Sequence, residues 1–365
     1  MPEFIKGLEL SRLFFEEAVR PVVEAEFPRL RYAAARLGSG SEVLGFDTEM
    51  SADHGWGPRV DLFLAEEDYE GARRGLDEAL RGGLPHRFRG YPTSFTAPDP
   101  NDNGTQHLDG RVSGPVDHKV EIKTPLRFLL DYLAFDAREE PEPADWLTFP
   151  EQKLRTIAAG AVFHDRLGLE GLRGKLAYYP RDVWLYLLAA GWARVGQEEH
   201  LMGRAGTVGD ELGSALIGAR LVRDLMRLCF LMERTYAPYP KWFGTAFGRL
   251  ACAGELSPHL RAALAAGDWR EREAHLAAAY ERVARMHNAL GITDPLPTEP
   301  RDFFGRPFRV IALHGFADAI LARVTDERVR RIAARRPVGS VDQFSDSTDL
   351  VSHASWRAAL RRLYE

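Results

Sequence analysis

The stretch RLGSGSEVLGFDTEMSADHGWGPRVDLFL, residues 36–64, decides which fold and which chemistry this sequence suggests. It opens with glycines and serines, continues through several acidic residues, and ends in a segment where Val60, Leu62 and Leu64 alternate with other residues. An alternation with a period of two predicts a half-buried β-strand. The residues before that strand fit either an elaborate turn or a phosphate-binding loop followed by metal-binding carboxylates.

Two well-known glycine motifs are excluded by their spacing. A dinucleotide-binding fingerprint requires GxGxxG, whereas Gly38, Gly40 and Gly45 give GxGxxxxG. A P-loop requires GxxxxGK[ST]; Gly40 and Gly45 have that separation, but Phe46 stands where the lysine must reach the phosphates.

Composition indicates an ordinary globular chain with no basic excess. The sequence has 365 residues, and at this length we expect two domains. Its net charge of −5 does not favour a general nucleic-acid or membrane-surface binder, although a local basic groove for nucleic acid stays open. The two cysteines form no zinc or CxxC pattern, and we see neither a signal peptide nor a membrane span. We therefore expect a cytoplasmic protein without a membrane partner.

The predicted secondary structure changes near residue 140. Up to that point short strand signals, such as HKVEIKTPL at residues 118–126, alternate with helices. After the acidic, proline-bearing stretch at 136–146 almost every segment has helical periodicity, notably 151–167, 182–202, 210–234 and 268–290. The predicted fold class is α+β: a small mixed-sheet domain over residues 1–140, followed by an all-α helical bundle over residues 141–365 that serves as a substrate-binding or lid domain.

Gly40-Ser41, then eleven residues, then Asp53 ahead of a strand resembles the nucleotidyltransferase superfamily of the polymerase-β type. Further segments, among them FPEQKLRTIAAGAVFHD and DVWLYLLAAGW, resemble a branch of unknown function with a helical C-terminal domain. The architecture is also loosely similar to that of aminoglycoside nucleotidyltransferases. The superfamily places Gly-Ser at a helix start, Asp-x-Asp on a strand, and a third acid on a neighbouring strand.

The resemblance implies roles for particular residues. Gly40 and Ser41 would bind the nucleotide phosphates. Independently of the resemblance, the residue types around Arg204, Lys241 and Trp242 suggest further nucleotide contacts from the helical half. The catalytic and metal-binding acids would be Asp53, Asp61 and Glu121, which would hold Mg²⁺ against the α-phosphate of an NTP.

The sequence departs from this pattern at one position. Gly55 stands where the second aspartate belongs, and Asp61 is eight residues beyond Asp53. Asp61 joins Asp53 only if the turn at 55–58 folds the chain back, and His54 is an alternative ligand. The metal site is therefore either rearranged or incomplete.

Each candidate also has a simpler interpretation. Gly40 and Ser41 fit a plain turn, Asp61 a solvated strand position, and Glu121 a surface ion pair with Lys119 or Lys123. The segment with Arg204 fits an interhelical loop before an N-cap at Asp210, and the aromatic residues around Lys241 fit packing.

Together these features suggest a Mg²⁺-dependent nucleotidyltransferase. The reaction would move an NMP from an NTP to a hydroxyl acceptor, favoured to be a small molecule, with release of pyrophosphate. One alternative is a catalytically degenerate nucleotide-binding or sensor protein, to which Gly55 points. Another is a toxin-like nucleotidyltransferase that acts on tRNA or protein.

Overall fold

A computed structural model describes residues 3–51, 55–102 and 104–365. Two compact units make up the chain: residues up to Glu140 with Lys153–Ala177 form the first, and Pro141–Gln152 with Tyr178–Glu365 form the second. Among the described residues, no helix is both long enough and apolar enough to cross a membrane.

The strands are short and most belong to the first unit. In chain order they are β1 (Tyr32–Arg36), β2 (Arg59–Leu64), β3 (Arg87–Phe88), β4 (Tyr91–Pro92), β5 (Ser94–Phe95), β6 (Leu108–Asp109), β7 (Lys119–Lys123), β8 (Ala161–Asp165), β9 (Arg301–Phe303) and β10 (Arg306–Val310).

Helices account for most of the remaining regular structure. They are α1 (Gly7–Phe14), α2 (Arg20–Glu26), α3 (Glu66–Gly83), α4 (Pro125–Leu133), α5 (Pro143–Thr148), α6 (Glu151–Ala159), α7 (Leu169–Lys175), α8 (Arg181–Thr207), α9 (Glu211–Met232), α10 (Pro240–Phe247), α11 (Ala253–Ala265), α12 (Trp269–Ala289), α13 (Phe316–Leu321), α14 (Glu327–Ala333), α15 (Val341–Phe344), α16 (Thr348–Ser352) and α17 (Arg357–Arg361). A π-helical turn, Phe15–Val19, joins α1 to α2.

A four-stranded mixed sheet with the order β7-β2-β1-β8 organises the first unit. β1 is antiparallel to β2 and β8, whereas β2 and β7 run parallel, with α3 in the connection between them. Parallel neighbours need such a crossover because the chain must return to the same sheet edge. The predicted α+β class with a small mixed sheet is thereby confirmed.

The two faces of the sheet have different environments. Val60, Leu62 and Leu64 of β2 pack into a core with Leu10 and Phe14 of α1, and all five side chains are buried. Burying each such apolar side chain contributes about 1.5–3 kcal/mol to stability. The alternate β2 residues therefore lie on the opposite face, which carries the polar groups of the candidate site.

One predicted helix is wrong in part. The helical periodicity at 151–167 predicts a single helix, but α6 ends at Ala159 and residues 161–165 form strand β8, paired with β1. A Cβ added at Gly160 would collide with the carbonyl oxygen of Arg36, so only glycine permits this approach. Residues 153–177, assigned to the second domain on the sequence, thus belong to the first unit because β8 completes its sheet.

The second unit is mainly a bundle of long helices. The predicted helices at 182–202, 210–234 and 268–290 are confirmed as α8, α9 and α12, and Asp210 caps α9 by accepting a hydrogen bond from the Gly213 N–H at 2.8 Å. α8 and α9 contribute large buried side chains, including Trp192 and Phe230. This unit also contains the β9–β10 hairpin, which the all-α prediction omits.

Candidate functional site

An open cleft of about 860 Å³ lies on the polar face of the sheet in the first unit. We call it the cleft throughout. The residues that line it come from the loop after β1, from β2 and β7, and from helices α3 and α4. They are Arg36, Leu37, Gly38, Ser39, Arg59, Asp61, Tyr69, Glu70, Arg73, Arg74, Asp77, Glu121, Ile122, Lys123, Arg127, Phe128, Asp131 and Tyr132.

The glycine-serine loop contributes its first half to the cleft. Gly38 adopts a φ of +79°, which favours glycine, and a Cβ there would lie 3.6 Å from Phe128. Gly38 and Ser39 line the cleft, whereas the predicted phosphate-binding residues Gly40 and Ser41 are not among the lining residues.

The segment after this loop is not the helix that the resemblance implies. Residues 41–45 form consecutive turns, in which the Phe46 N–H donates to the Ser41 carbonyl and the Gly45 N–H donates to the Glu42 carbonyl, both at 3.0 Å. A helix N-terminus with aligned N–H groups is therefore absent from residues 41–45, and with it the expected source of phosphate affinity.

Asp61 and Glu121 are brought together by the pairing of β2 with β7. The two residues lie directly opposite each other in the parallel register. Both line the cleft, but their environments differ: Asp61 is 2% exposed, whereas the Glu121 side chain is 50% exposed. The structure thus places two of the three predicted acids side by side.

Lys123 bridges these two carboxylates. Its Nζ lies 2.7 Å from Oδ1 of Asp61 and 2.8 Å from Oε2 of Glu121. The other oxygen of Asp61, Oδ2, accepts hydrogen bonds from the Leu37 N–H at 2.9 Å and from Arg36 at 3.3 Å. Both oxygens of Asp61 are therefore occupied, and Asp61 is not the solvated strand residue of the simpler interpretation.

A third carboxylate, that of Glu42, extends the network. Glu42 accepts hydrogen bonds from Arg36 at 2.7 and 3.0 Å, and Arg59 lies 3.6 Å from Glu42 and 3.9 Å from Glu121. We call the six side chains of Arg36, Glu42, Arg59, Asp61, Glu121 and Lys123 the ion cluster. Apart from Glu121 its side chains are buried or nearly so, where an unpaired charge would be costly.

Asp61 and Lys123 stabilise each other in their ionised forms. Burial raises the pKa of Asp61, but Lys123 and Arg36 outweigh that effect and the net pKa lies below the usual value. Burial lowers the pKa of Lys123, but Asp61 and Glu121 outweigh that effect and the net pKa is raised. The bridge between Lys123 and the two acids is thus charged at neutral pH.

Asp61 shares its face of β2 with a cation, Arg59, and not with a second acid. Arg59 and Asp61 are two residues apart on the strand and therefore share a face, so β2 carries Arg-x-Asp. Asp53 precedes β2 by six residues and, with His54, lies outside the described residues.

The described carboxylates do not fit a Mg²⁺ site. Mg²⁺ requires near-octahedral oxygen ligands, and both oxygens of Asp61 already accept from Lys123, Arg36 or a backbone N–H. Among the residues that the structure describes, no group of three or more His, Cys, Asp or Glu side chains is arranged to hold a metal ion. We therefore derive no chemical step through a metal.

The remaining predicted site residues belong to the second unit. Arg204 is exposed in the last turn of α8, so it is helical and not part of a loop. Lys241 is exposed at the start of α10, and its Nζ lies 5.1 Å from the centre of the Trp242 ring. All residues that line the cleft belong to the first unit, and these three are not among them.

Sequence reasoning missed the three cations of the ion cluster as site residues. The sequence predicts Lys123 only as a surface partner of Glu121 and indicates no role for Arg36 or Arg59. The available signal is a positively charged residue two positions from Asp61 and from Glu121, as in Arg59-Val60-Asp61 and Glu121-Ile122-Lys123. In a strand this spacing places the charges on one face.

Comparisons with known proteins give a limited result. Residues 146–243, about a quarter of the chain, match the family described as Domain of unknown function (DUF4037), in agreement with the predicted resemblance to a family of unknown function. A crystal structure of a nucleotidyltransferase-like protein from Exiguobacterium sibiricum 255-15 shares 10% identity and a TM-score of 0.34, over 76% of this chain and 77% of that one. No curated protein matches the chain significantly.

Proposed function

We propose that the cleft of the first unit binds a nucleoside triphosphate. The observation that carries this proposal is the pairing of Asp61 with Glu121 on adjacent strands, in a cleft that also includes the loop residues Gly38 and Ser39. A volume of about 860 Å³ is of the size that small-molecule sites use.

The phosphates would contact the arginine side chains along the edge of the cleft. Arg73, Arg74 and Arg127 line it from α3 and α4. Arg74 and Arg127 pair with exposed glutamates, Glu78 at 3.0 Å and Glu70 at 2.8 Å. Exposed ion pairs contribute only about 0–1 kcal/mol, so a phosphate can replace these partners at little cost.

The reaction class we propose is transfer of an NMP to a hydroxyl acceptor with release of pyrophosphate. Glu121 is the candidate group for the acceptor side because its side chain is half-exposed in the cleft. Burial raises the pKa of Glu121, but Lys123 outweighs that effect and the net pKa is lowered, so Glu121 is ionised at neutral pH and can accept a hydrogen bond from a hydroxyl.

A second candidate function is nucleotide binding without turnover. The specific observation in its favour is the Lys123 bridge, which occupies the carboxylate oxygens that a metal-dependent transferase would use. Under this interpretation the first unit acts as a nucleotide sensor.

Titration calorimetry with ATP, GTP, CTP and UTP tests the proposal. We expect at least one nucleotide to bind, and Arg73→Gln to weaken that binding about tenfold through loss of one charged contact. Arg138→Gln is the matched control, because Arg138 is exposed, pairs with Asp136, and does not line the cleft.

A pyrophosphate-release assay with hydroxyl acceptors then separates the two candidates. Release would support the transferase, and binding without release would support the sensor. If none of the four nucleotides binds, both candidates are wrong.

A further inference from the structure

Within the ion cluster, the ammonium group of Lys123 lies between the carboxylates of Asp61 and Glu121. Lys123 follows Glu121 by two residues on β7, so both side chains project from the same face as Asp61 on β2. The Nζ of Lys123 is within hydrogen-bond distance of both acids, at 2.7 and 2.8 Å. One ammonium group thus reduces the repulsion between two neighbouring carboxylates.

The position of this ammonium group is fixed by its surroundings. Nζ lies 5.7 Å from the centre of the Phe63 ring and 5.1 Å from that of Phe128, distances at which a cation is attracted to an aromatic face. The side chain is 18% exposed. Aromatic packing and two ionic contacts together distinguish Lys123 from a mobile surface lysine.

The local charge leaves little attraction for a divalent cation. Arg36, Arg59 and Lys123 balance Glu42, Asp61 and Glu121, so the ion cluster is neutral in sum. Lys119 lies on the same face of β7 and adds a further positive charge when it is protonated. Burial is the main cause that lowers the pKa of Lys119 to about 8, and the nearby charge of Arg59 lowers it further. A metal ion would therefore face repulsion from fixed cations at short range.

We propose that the ammonium group of Lys123 takes the position of a divalent cation between Asp61 and Glu121, so that a side chain replaces a metal ion in this cleft. The inference concerns the same cleft as the proposed function. It implies that a nucleotide bound there is not held through a divalent cation between Asp61 and Glu121.

Mn²⁺ binding, followed by electron paramagnetic resonance on the full-length chain, tests this inference without any nucleotide. We expect the native chain to bind no Mn²⁺ through Glu121. Lys123→Met keeps the apolar stem between the two rings and frees Oδ1 of Asp61 and Oε2 of Glu121. It should therefore bind one Mn²⁺ per chain, on the order of tenfold or more tighter than the native chain.

Two controls locate the gained site. Lys119→Met removes a lysine from the same face of β7, but this lysine is not within salt-bridge distance of Asp61. The Lys119→Met variant should therefore gain no Mn²⁺ binding. Lys123→Met/Glu121→Gln should lose the gained binding. If Lys123→Met does not fold, as judged by circular dichroism and thermal melting, Lys123→Gln replaces it.

Two results would overturn the inference. One is native Mn²⁺ binding that Glu121→Gln abolishes, because the acids would then hold a metal despite Lys123. The other is folded Lys123→Met and Lys123→Gln variants that gain no binding. Because no nucleotide is present, either result is distinct from a failure of the proposed function.

Discussion

At the scale of single residues, the stability of the first unit and the chemistry of the cleft depend on the same carboxylate. Asp61 is buried, and its oxygens accept from Lys123, from Arg36 and from the Leu37 N–H. Removing one partner of a buried ion pair leaves the other charge without compensation, which costs more than the pair itself contributes.

We therefore predict that Asp61→Asn lowers the free energy of unfolding by about 3 kcal/mol or more, since Lys123 and Arg36 lose their shared partner. Urea denaturation measures this quantity. Glu121→Gln is the control: it removes a carboxylate from the same pair, but the Glu121 side chain is half-exposed, and we expect a loss of about 1 kcal/mol or less. Equal losses in the two variants would contradict this account of Asp61.

Glu199 predicts a pH dependence of stability in the second unit. Its carboxylate is 3% exposed and accepts from the Ile311 N–H at 2.7 Å and the Ala312 N–H at 3.1 Å. Burial raises its pKa from 4.5 to about 7, against the effect of these hydrogen bonds. Between those two pH values the folded state holds a proton that the unfolded state has lost, so stability falls as the pH rises.

The expected loss from Glu199 between pH 4.5 and 7 is up to about 3 kcal/mol. Chemical denaturation at several pH values measures it, and Glu199→Gln should flatten this part of the profile. Glu327→Gln, at an exposed glutamate of the same unit, should leave the profile unchanged. A Glu199→Gln profile as steep as the native one would show that another group titrates.

Single residues of the cleft can be predicted from the sequence, but the ion pairs between them cannot. Asp61 and Glu121 were predicted as site residues because the resemblance implies acids on neighbouring strands, and both acids lie in segments with a local strand pattern. Their bridge through Lys123 was not, because it depends on the register of two strands that are about sixty residues apart in the chain. Asp53 lies outside the described residues, so its predicted role stays a prediction.

At the scale of secondary-structure elements, the long helices were predictable and one edge strand was not. α8, α9 and α12 are long enough for a 3.6-residue period to show clearly. β8 has five residues and directly follows a helix with one residue between them, so the helical period seemed to continue through it. Its pairing with β1 is a long-range contact, which no local pattern encodes.

Close approach between helices gives a prediction at this scale. Gly206 of α8 faces Trp269 of α12 so closely that an added Cβ would overlap the indole. We predict that Gly206→Ala costs about 1–3 kcal/mol of stability through overpacking. Gly244 in α10 has no atom within 4 Å of an added Cβ, so Gly244→Ala should instead gain up to about 1 kcal/mol from helix propensity. Thermal denaturation of both variants checks the opposite signs.

At the scale of the whole molecule, the chain passes between its two units three times, after residues 140, 152 and 177. A change in composition near residue 140 indicates the first passage. Residues 153–177 belong to the first unit, but the sequence does not indicate this. The segment contains α6, β8 and α7, and its apolar residues have the same helical periodicity as the second half of the chain.

This division predicts which fragment of the chain folds. A fragment of residues 1–140 lacks β8 and leaves one edge of β1 unpaired, so we expect no cooperative thermal transition. A fragment of residues 1–177 contains the complete four-stranded sheet and should unfold cooperatively. A cooperative transition in the shorter fragment would show that β8 is dispensable.

Hydrogen–deuterium exchange of the full-length chain, with and without each of the four nucleoside triphosphates, tests the central claim most directly. We predict that at least one nucleotide slows exchange in peptides that cover residues 36–41 and 121–132, where the loop after β1 and the start of α4 line the cleft. Exchange that is unchanged in these peptides at saturating nucleotide, or slowed only within residues 178–365, would contradict the claim that the cleft of the first unit is the nucleotide site.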